Sequence, residues 1–188
     1  MDKLLKELKR HILISENLVG SITLKTEKYH VKAKQKLLVP NVNQEHLLFV
    51  VSGIARNYYI SDTREWTSRF FQPGDFVLSI DNFLFDLPCT EFIESCTPME
   101  VIRTSKADYK QLFIDYPELN IVARNIADER LKANNDRMYS WRMLSAAERY
   151  DEFVRAYPNI CKQVQIQHIA SYLDISPYNL SRIRSMKL

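Results

Sequence analysis

VQIQHIASYLDISPYNLSRIR, residues 164–184, carries two apolar stripes of helical period with a short polar break between them. Ile166, Ile169, Ala170 and Leu173 share one face of a first short helix. Asp174-Ile175-Ser176 makes a tight turn, with Ile175 as its apolar plug. The Ser176 hydroxyl is placed to cap a second helix, and Pro177 suits its first position, where no amide hydrogen is needed. Leu180 and Ile183 face back to the first helix, which leaves Tyr178, Asn179, Ser181, Arg182 and Ser185 pointing outward. Two short helices joined by such a turn, the second rich in exposed hydrogen-bonding groups, form the pattern of a DNA-reading helix-turn-helix. The local charge agrees. Lys162, Arg182, Arg184 and Lys187 face a single acid, Asp174, and three of those cations lie in the final helix, where phosphate contacts belong.

Working back toward the N-terminus, Ser145-Ala146-Ala147-Glu148 is a capping box that starts another helix, which must end before Pro158. A longer helical pattern occupies 117–139. Leu119, Val122, Ile126, Ala133 and Met138 lie on or near one stripe, widened by Ile121, Ala127 and Leu131. Such a helix is about 33 Å long, more than a small β domain can cover, so its stripe calls for a two-fold mate. Asn125, Asn134 and Asn135 would then help to fix its register. Before it, 106–113 forms a short helix closed off by Pro117.

From about Ser21 to Arg103 the texture is different. Short β-prone runs at 28–33, 36–39, 46–51, 55–60, 67–71, 76–80, 90–95 and 99–104 alternate with turn punctuation such as Ser52-Gly53 and Pro73-Gly74-Asp75. That spacing predicts a sandwich or barrel-like roll. The chain opens with an amphipathic helix, Leu4, Leu5, Leu8 and Ile12 on one side, that packs on the roll. The expected architecture is therefore α+β: a jelly-roll-like β-roll, a long connecting helix and a terminal helix-turn-helix, divided as 1–115, 116–140 and 141–188.

This plan, and the texts HLLFVVSGIARNYY, FFQPGDFV, MEVIRTSKADYKQLF and IASYLDISPYNLSRIR, resembles the cyclic-AMP receptor protein/fumarate–nitrate regulator (Crp/Fnr) superfamily of transcription regulators. The resemblance spans nearly the whole chain and implies a cyclic-nucleotide-binding-like sensor roll, a homodimer and a palindromic operator. It places Pro177, Tyr178, Asn179 and Arg182 where the family reads base edges, with Ser181 and Arg184 on the same helix. An arginine at position 182 suits bidentate pairing with guanine. The family's turn glycine is replaced by Asp174, and Pro177 and Tyr178 replace charged side chains, so no operator sequence carries over. With Leu188 as the last residue read, the β-hairpin wing of many relatives is not expected.

The family holds a cyclic-nucleotide phosphate with a Gly-Glu pair, then an arginine and a small hydroxyl residue. Here Asp86-Leu87 stands at the pair and Cys89 at the arginine, and only Thr90 keeps the hydroxyl. Between Asp81 and Glu100 the acids Asp81, Asp86, Glu91, Glu94 and Glu100 meet no basic residue, the wrong sign for a buried phosphate. Cyclic-AMP binding in the family manner is not expected. Phe83, Phe85 and Phe92, with Asp86, Cys89 and Thr90, remain the candidate pocket for an unknown small-molecule effector.

Other function classes fit less well. Cys89, Cys96 and Cys161 are too few and too scattered for a disulfide framework or a zinc site, and the family's iron–sulfur cysteine cluster is absent. His11, His30, His46 and His168 contain no H-x-H pair, against a cupin-type metal enzyme. No metal, cofactor or catalysis is expected. The net charge of +3 permits nucleic-acid binding without arguing for it. MDKLLKELKR lacks the apolar core of a signal peptide, and no apolar run approaches the ~20 residues of a membrane span. A cytoplasmic protein that binds double-stranded DNA and no membrane is the expectation. The alternative is a ligand-binding or scaffold module whose helix-turn-helix no longer reads DNA.

Overall fold

A computed structural model describes residues 1–62 and 64–186, so the expectations for Lys187 and for the chain end at Leu188 lie outside the described residues. Helices α1 (Asp2–Lys9) and α2 (Glu16–Leu24) precede β1 (Glu27–Val31), β2 (Lys36–Leu38), β3 (His46–Ser52), β4 (Ala55–Ser61), β5 (Arg64–Phe71) and β6 (Phe76–Val77). A π-helical turn (Ile80–Leu84) leads to β7 (Phe92–Ser95) and β8 (Met99–Ser105). Then come α3 (Lys106–Asp115), α4 (Leu119–Met143), α5 (Ala146–Ala156), α6 (Pro158–Gln163), α7 (Ile166–Leu173) and α8 (Pro177–Ser185). The strands form two four-stranded antiparallel sheets, in the orders β1-β8-β3-β6 and β2-β7-β4-β5. The expected roll is present.

Strand β3 explains why HLLFVV is apolar without alternation. Leu48 and Val50 point into the roll among Val31, Phe71, Ile93 and Val101. Phe49, paired with Ile102 of β8, points the other way into a second core built from Leu4, Leu8, Leu18, Ile22, Leu112, Leu119 and Val122. A strand covered on both faces reads as a continuous apolar run. The N-terminal helix thus packs on the roll, as its stripe predicts.

The sequence reading needs four corrections. Helix α2 lies where the β region was expected to begin. Ser15 caps it, its Oγ accepting from the Leu18 amide at 3.2 Å, and Leu18 and Ile22 are buried. The expected strand 76–80 stops at Val77, because Ser79 caps the π-helical turn and the buried Asn82 amide fixes it to Gln44 and Leu87. Helix α4 runs on to Met143, past the expected end at Tyr139, and α6 was not foreseen, its burial resting on Ile160 alone. None of the described helices is long and apolar enough to cross a membrane.

The C-terminal helices are packed against the roll. Ile54 and Phe70 of the roll share one core with Tyr150, Phe153, Ile169, Leu173 and Leu180. The Phe70 ring lies 5.3 Å from Tyr172 and 6.1 Å from Phe153. Ser171 of α7 then bonds the open edge of β5, accepting from the Thr67 amide at 2.8 Å and donating to the Glu65 carbonyl at 2.7 Å. Nearby, Arg56 is almost fully buried and pairs with Glu65 at 2.6 Å, its guanidinium 4.0 Å from the Tyr58 ring centroid. A buried aromatic side chain is worth about 2–3 kcal/mol, and a partly exposed ion pair about 1 or less. The rings hold this seam, and the polar bonds set its register.

Two outcomes are expected. Gly53 turns the chain from β3 to β4 at φ +87, and a Cβ there would lie 2.3 Å from the Pro98 carbonyl oxygen and 2.8 Å from Met99 Cα. Gly53→Ala should cost about 3 kcal/mol or more. Gly74, at φ +101 but with open space around it, should cost about 1–2 kcal/mol. Denaturant unfolding of the two variants checks the order. Burial, assisted by the nearby Arg56, pulls the His168 imidazole down to about 4. Unfolded, it titrates near 6.5, so between about pH 6.5 and 4 the unfolded state takes up the proton first and stability falls as pH drops. His168→Gln should flatten the dependence of Tm on pH in that window; superimposable curves would refute the assignment.

Candidate nucleic-acid interface

Helix α7 ends in a Schellman arrangement. Asp174 takes a left-handed conformation (φ 54, ψ 50), its amide donating to Ser171 O and the Ile175 amide to Ala170 O at 2.9 Å. This backbone shape favours glycine, and aspartate adopts it at some cost. Arg149 of α5 offsets part of that cost by donating to the Asp174 carbonyl at 3.2 Å and to the Leu144 carbonyl at 3.1 Å. One guanidinium thus ties the end of α4 to the turn of the motif. Nothing in the sequence pattern marks Arg149 for this role, because its partners are backbone carbonyls. Ile175 is buried as the expected plug.

Ser176 caps α8, its Oγ accepting from the Asn179 amide at 3.2 Å, and Pro177 is the first helical residue. Leu180 and Ile183 are buried. Pro177, Tyr178, Ser181 and Arg182 are exposed on the opposite side, Tyr178 to 82%. Asn179 is half-buried and accepts from the Arg182 guanidinium at 3.3 Å, which aligns the two groups on one face. Arg184 is also half-buried and acts on Cys161 of α6, whose thiol burial pushes up and Arg184 opposes. Five of the six expected DNA-contacting residues therefore share a surface, and Arg184 stands at its margin. Arg137 of α4 braces the motif from behind, donating to the Ser68 carbonyl and lying 5.0 Å from the Tyr172 ring.

The six residues singled out in the roll do not converge. Phe83 is buried against Tyr109 of α3, ring centroids 5.2 Å apart, and Cys89 is buried against the carbonyls of Val39 and Val42. Phe85 and Thr90 are exposed, and Phe92 stacks on Tyr58 at 5.0 Å. Asp86 is exposed and left-handed (φ 56), and it pairs with Lys106 and Lys110 of α3. The hydrogen bond from Lys106, then the charge of both lysines, holds its carboxyl below the usual range. The cation missing from 81–100 is thus supplied by a helix outside the segment, and it is taken up by an aspartate.

Two cavities lie instead where the roll meets the C-terminal helices. One, about 280 Å³, is walled by Lys34, Arg56, Glu65, Glu94, Gln165 and His168 among others. The second, about 220 Å³, lies between Tyr59, Trp66, Arg137, Trp141 and Ser171. Among the described residues no group of three or more His, Cys, Asp or Glu is placed to hold a metal ion.

No protein-family model matches the chain, and no curated protein matches it significantly. Solved structures do. A protein from Eubacterium rectale assigned to the Crp/Fnr family of transcriptional regulators superposes with a TM-score of 0.73 at 19% identity, covering 93% of this chain and 84% of that one. FixK2 from Bradyrhizobium japonicum gives 0.71 at 19% identity, covering 86% and 83%. The c-di-GMP-responsive global regulator CLP from Xanthomonas campestris gives 0.70 at 17% identity, covering 92% and 91%. With its antiparallel roll, long α4 and terminal helices, the chain has the fold of the Crp/Fnr transcription regulators.

Proposed function

We propose that the protein is a DNA-binding transcription regulator of the Crp/Fnr type that acts as a homodimer on a two-fold symmetric site. The observation that carries this reading is the free face of α8. A capped, well-packed helix presents Tyr178, Asn179, Ser181 and Arg182 together, with Tyr178, Ser181 and Arg182 exposed. Arg182 would pair with a guanine in the major groove, Asn179 would orient it, and Arg184 would take a phosphate at the margin. Dimerisation is supported by α4. Ala127, Leu131, Asn134, Met138 and Trp141 follow a four–three spacing and are exposed, Leu131 to 61%. A second copy of α4 would cover that stripe. The roll would be the sensor half. It offers a cyclic-nucleotide phosphate no arginine in 81–100 and lysines already engaged by Asp86, which supports loss of cyclic-AMP binding.

Selection of duplexes from a random-sequence pool at low salt tests the proposal. The chain should enrich a two-fold symmetric sequence. Arg182→Ala should weaken that duplex by about 1–3 kcal/mol and relax the preference at one base per half-site, with Tm unchanged. Leu131→Glu combined with Met138→Glu should give a folded monomer that no longer holds the full site. A wild-type chain that enriches nothing would favour the alternative, a ligand-binding or scaffold module with a silent helix-turn-helix.

A further inference from the structure

The first turn of α8 offers a chemistry unlike that of the rest of the helix. Its polar side chains are engaged within the protein. The Ser176 hydroxyl accepts from the Asn179 amide at 3.2 Å, and the side-chain oxygen of the half-buried Asn179 accepts from the Arg182 guanidinium at 3.3 Å. What the turn leaves open is apolar surface, the rings of Pro177 and Tyr178. Tyr178, 82% exposed, is the most exposed aromatic side chain among the described residues. The turn is also held in place. The pyrrolidine ring restricts the backbone at Pro177, and the Ser176 cap fixes Asn179, so Tyr178 projects from a set position and orders only two side-chain torsions on contact.

A recognition helix meets base edges with its N-terminal residues, which is where Tyr178 stands. A phenolic hydroxyl both donates and accepts, and every base pair shows both kinds of partner in the major groove, so the hydroxyl alone discriminates little. The ring is different. Only thymine presents a methyl group there, and an apolar surface is matched by no other base edge. The helix also sets a spacing. Tyr178 and Arg182 are four positions apart, hence on one face and about 6 Å apart along the axis. Successive bases of a strand rise by about 3.4 Å, so side chains at these two positions reach bases about two pairs apart.

We propose that Tyr178 selects a thymine in each half-site by packing its ring on the C5-methyl group, about two base pairs from the guanine that Arg182 pairs with. This rests on the DNA-reading function proposed above and adds to it the identity of a second base. The contact is one of shape and apolar surface, so it needs the ring of Tyr178 and not its hydroxyl.

Uracil in place of thymine, one position at a time in the selected duplex, tests it, because the exchange removes the methyl group and leaves the hydrogen-bonding groups of the base unchanged. The wild-type chain should bind about four-fold more weakly when the thymine near the guanine is replaced in one half-site, and about fifteen-fold more weakly when it is replaced in both. Tyr178→Phe should keep that sensitivity. Tyr178→Ala should bind the thymine and uracil duplexes alike, close to the wild-type affinity for the doubly replaced duplex, with Tm unchanged. Three results would overturn the thymine contact while DNA reading stands. One is a wild-type chain indifferent to uracil within about two base pairs of the guanine. Another is a uracil effect that persists in Tyr178→Ala. The third is a Tyr178→Phe variant that loses as much affinity as Tyr178→Ala on both duplexes, which would put the hydroxyl on a phosphate. If the wild-type chain enriches no duplex, DNA reading fails and the thymine contact fails with it.

Discussion

The free edge of β5 is the constraint on which the rest of the molecule depends. It is the outer strand of its sheet, so one row of its amides and carbonyls has no strand partner. Open edges invite unwanted pairing unless something covers them. Here α7 does so, through the single hydroxyl of Ser171, while Tyr172 beside it enters the ring cluster of Phe70 and Phe153. One turn of helix therefore closes the sheet edge and anchors the C-terminal helices. The orientation of α8, one short turn further on, follows from that anchor.

Charge in the molecule is arranged around the same seam. Arg56 lies beneath it, fully withdrawn from water, and would be costly there without Glu65, Glu94 and the Tyr58 face. Arg149 and Arg137 brace the other side, each directed at backbone carbonyls rather than acids. These three arginines, Arg56 buried and the other two half-buried, thus serve the join. Arg182 on α8, whose hydrogen bond goes to the neutral Asn179 and not to an acid, is left open to an external polyanion. By contrast, the part of the roll in which a cyclic-nucleotide phosphate would be expected has its lysines bound to Asp86.

Much of this was legible in the sequence where local chemistry decides the structure. The β runs as a set, though not all their bounds, the capping box at Ser145, the cap at Ser176 and the place of Pro177 in the first turn emerge as read, because each depends on residues within a few positions of one another. Helix α2 was obscured by Gly20 and the β-branched Ile22 and Thr23, which suit a strand unless a core is waiting for Leu18 and Ile22. The seam itself was not legible. Arg56, Ser171 and Arg149 look like ordinary polar residues, and their partners lie 9 to 106 positions away or are backbone atoms. The surroundings of Phe83 and Asp86 were hidden for the same reason: Tyr109 and Lys106, which meet them, come from a helix outside the segment.

The central claim is that Arg182 on α8 reads DNA in the major groove of a two-fold site. Methylation interference on the selected duplex tests it most directly, since dimethyl sulfate marks guanine N7 in the major groove and adenine N3 in the minor groove. The expected result is that methylation of one guanine in each half-site blocks binding, the two positions being symmetric and about one helical turn or a multiple of it apart. Binding insensitive to guanine N7 methylation, or blocked only by adenine N3 methylation, would contradict it.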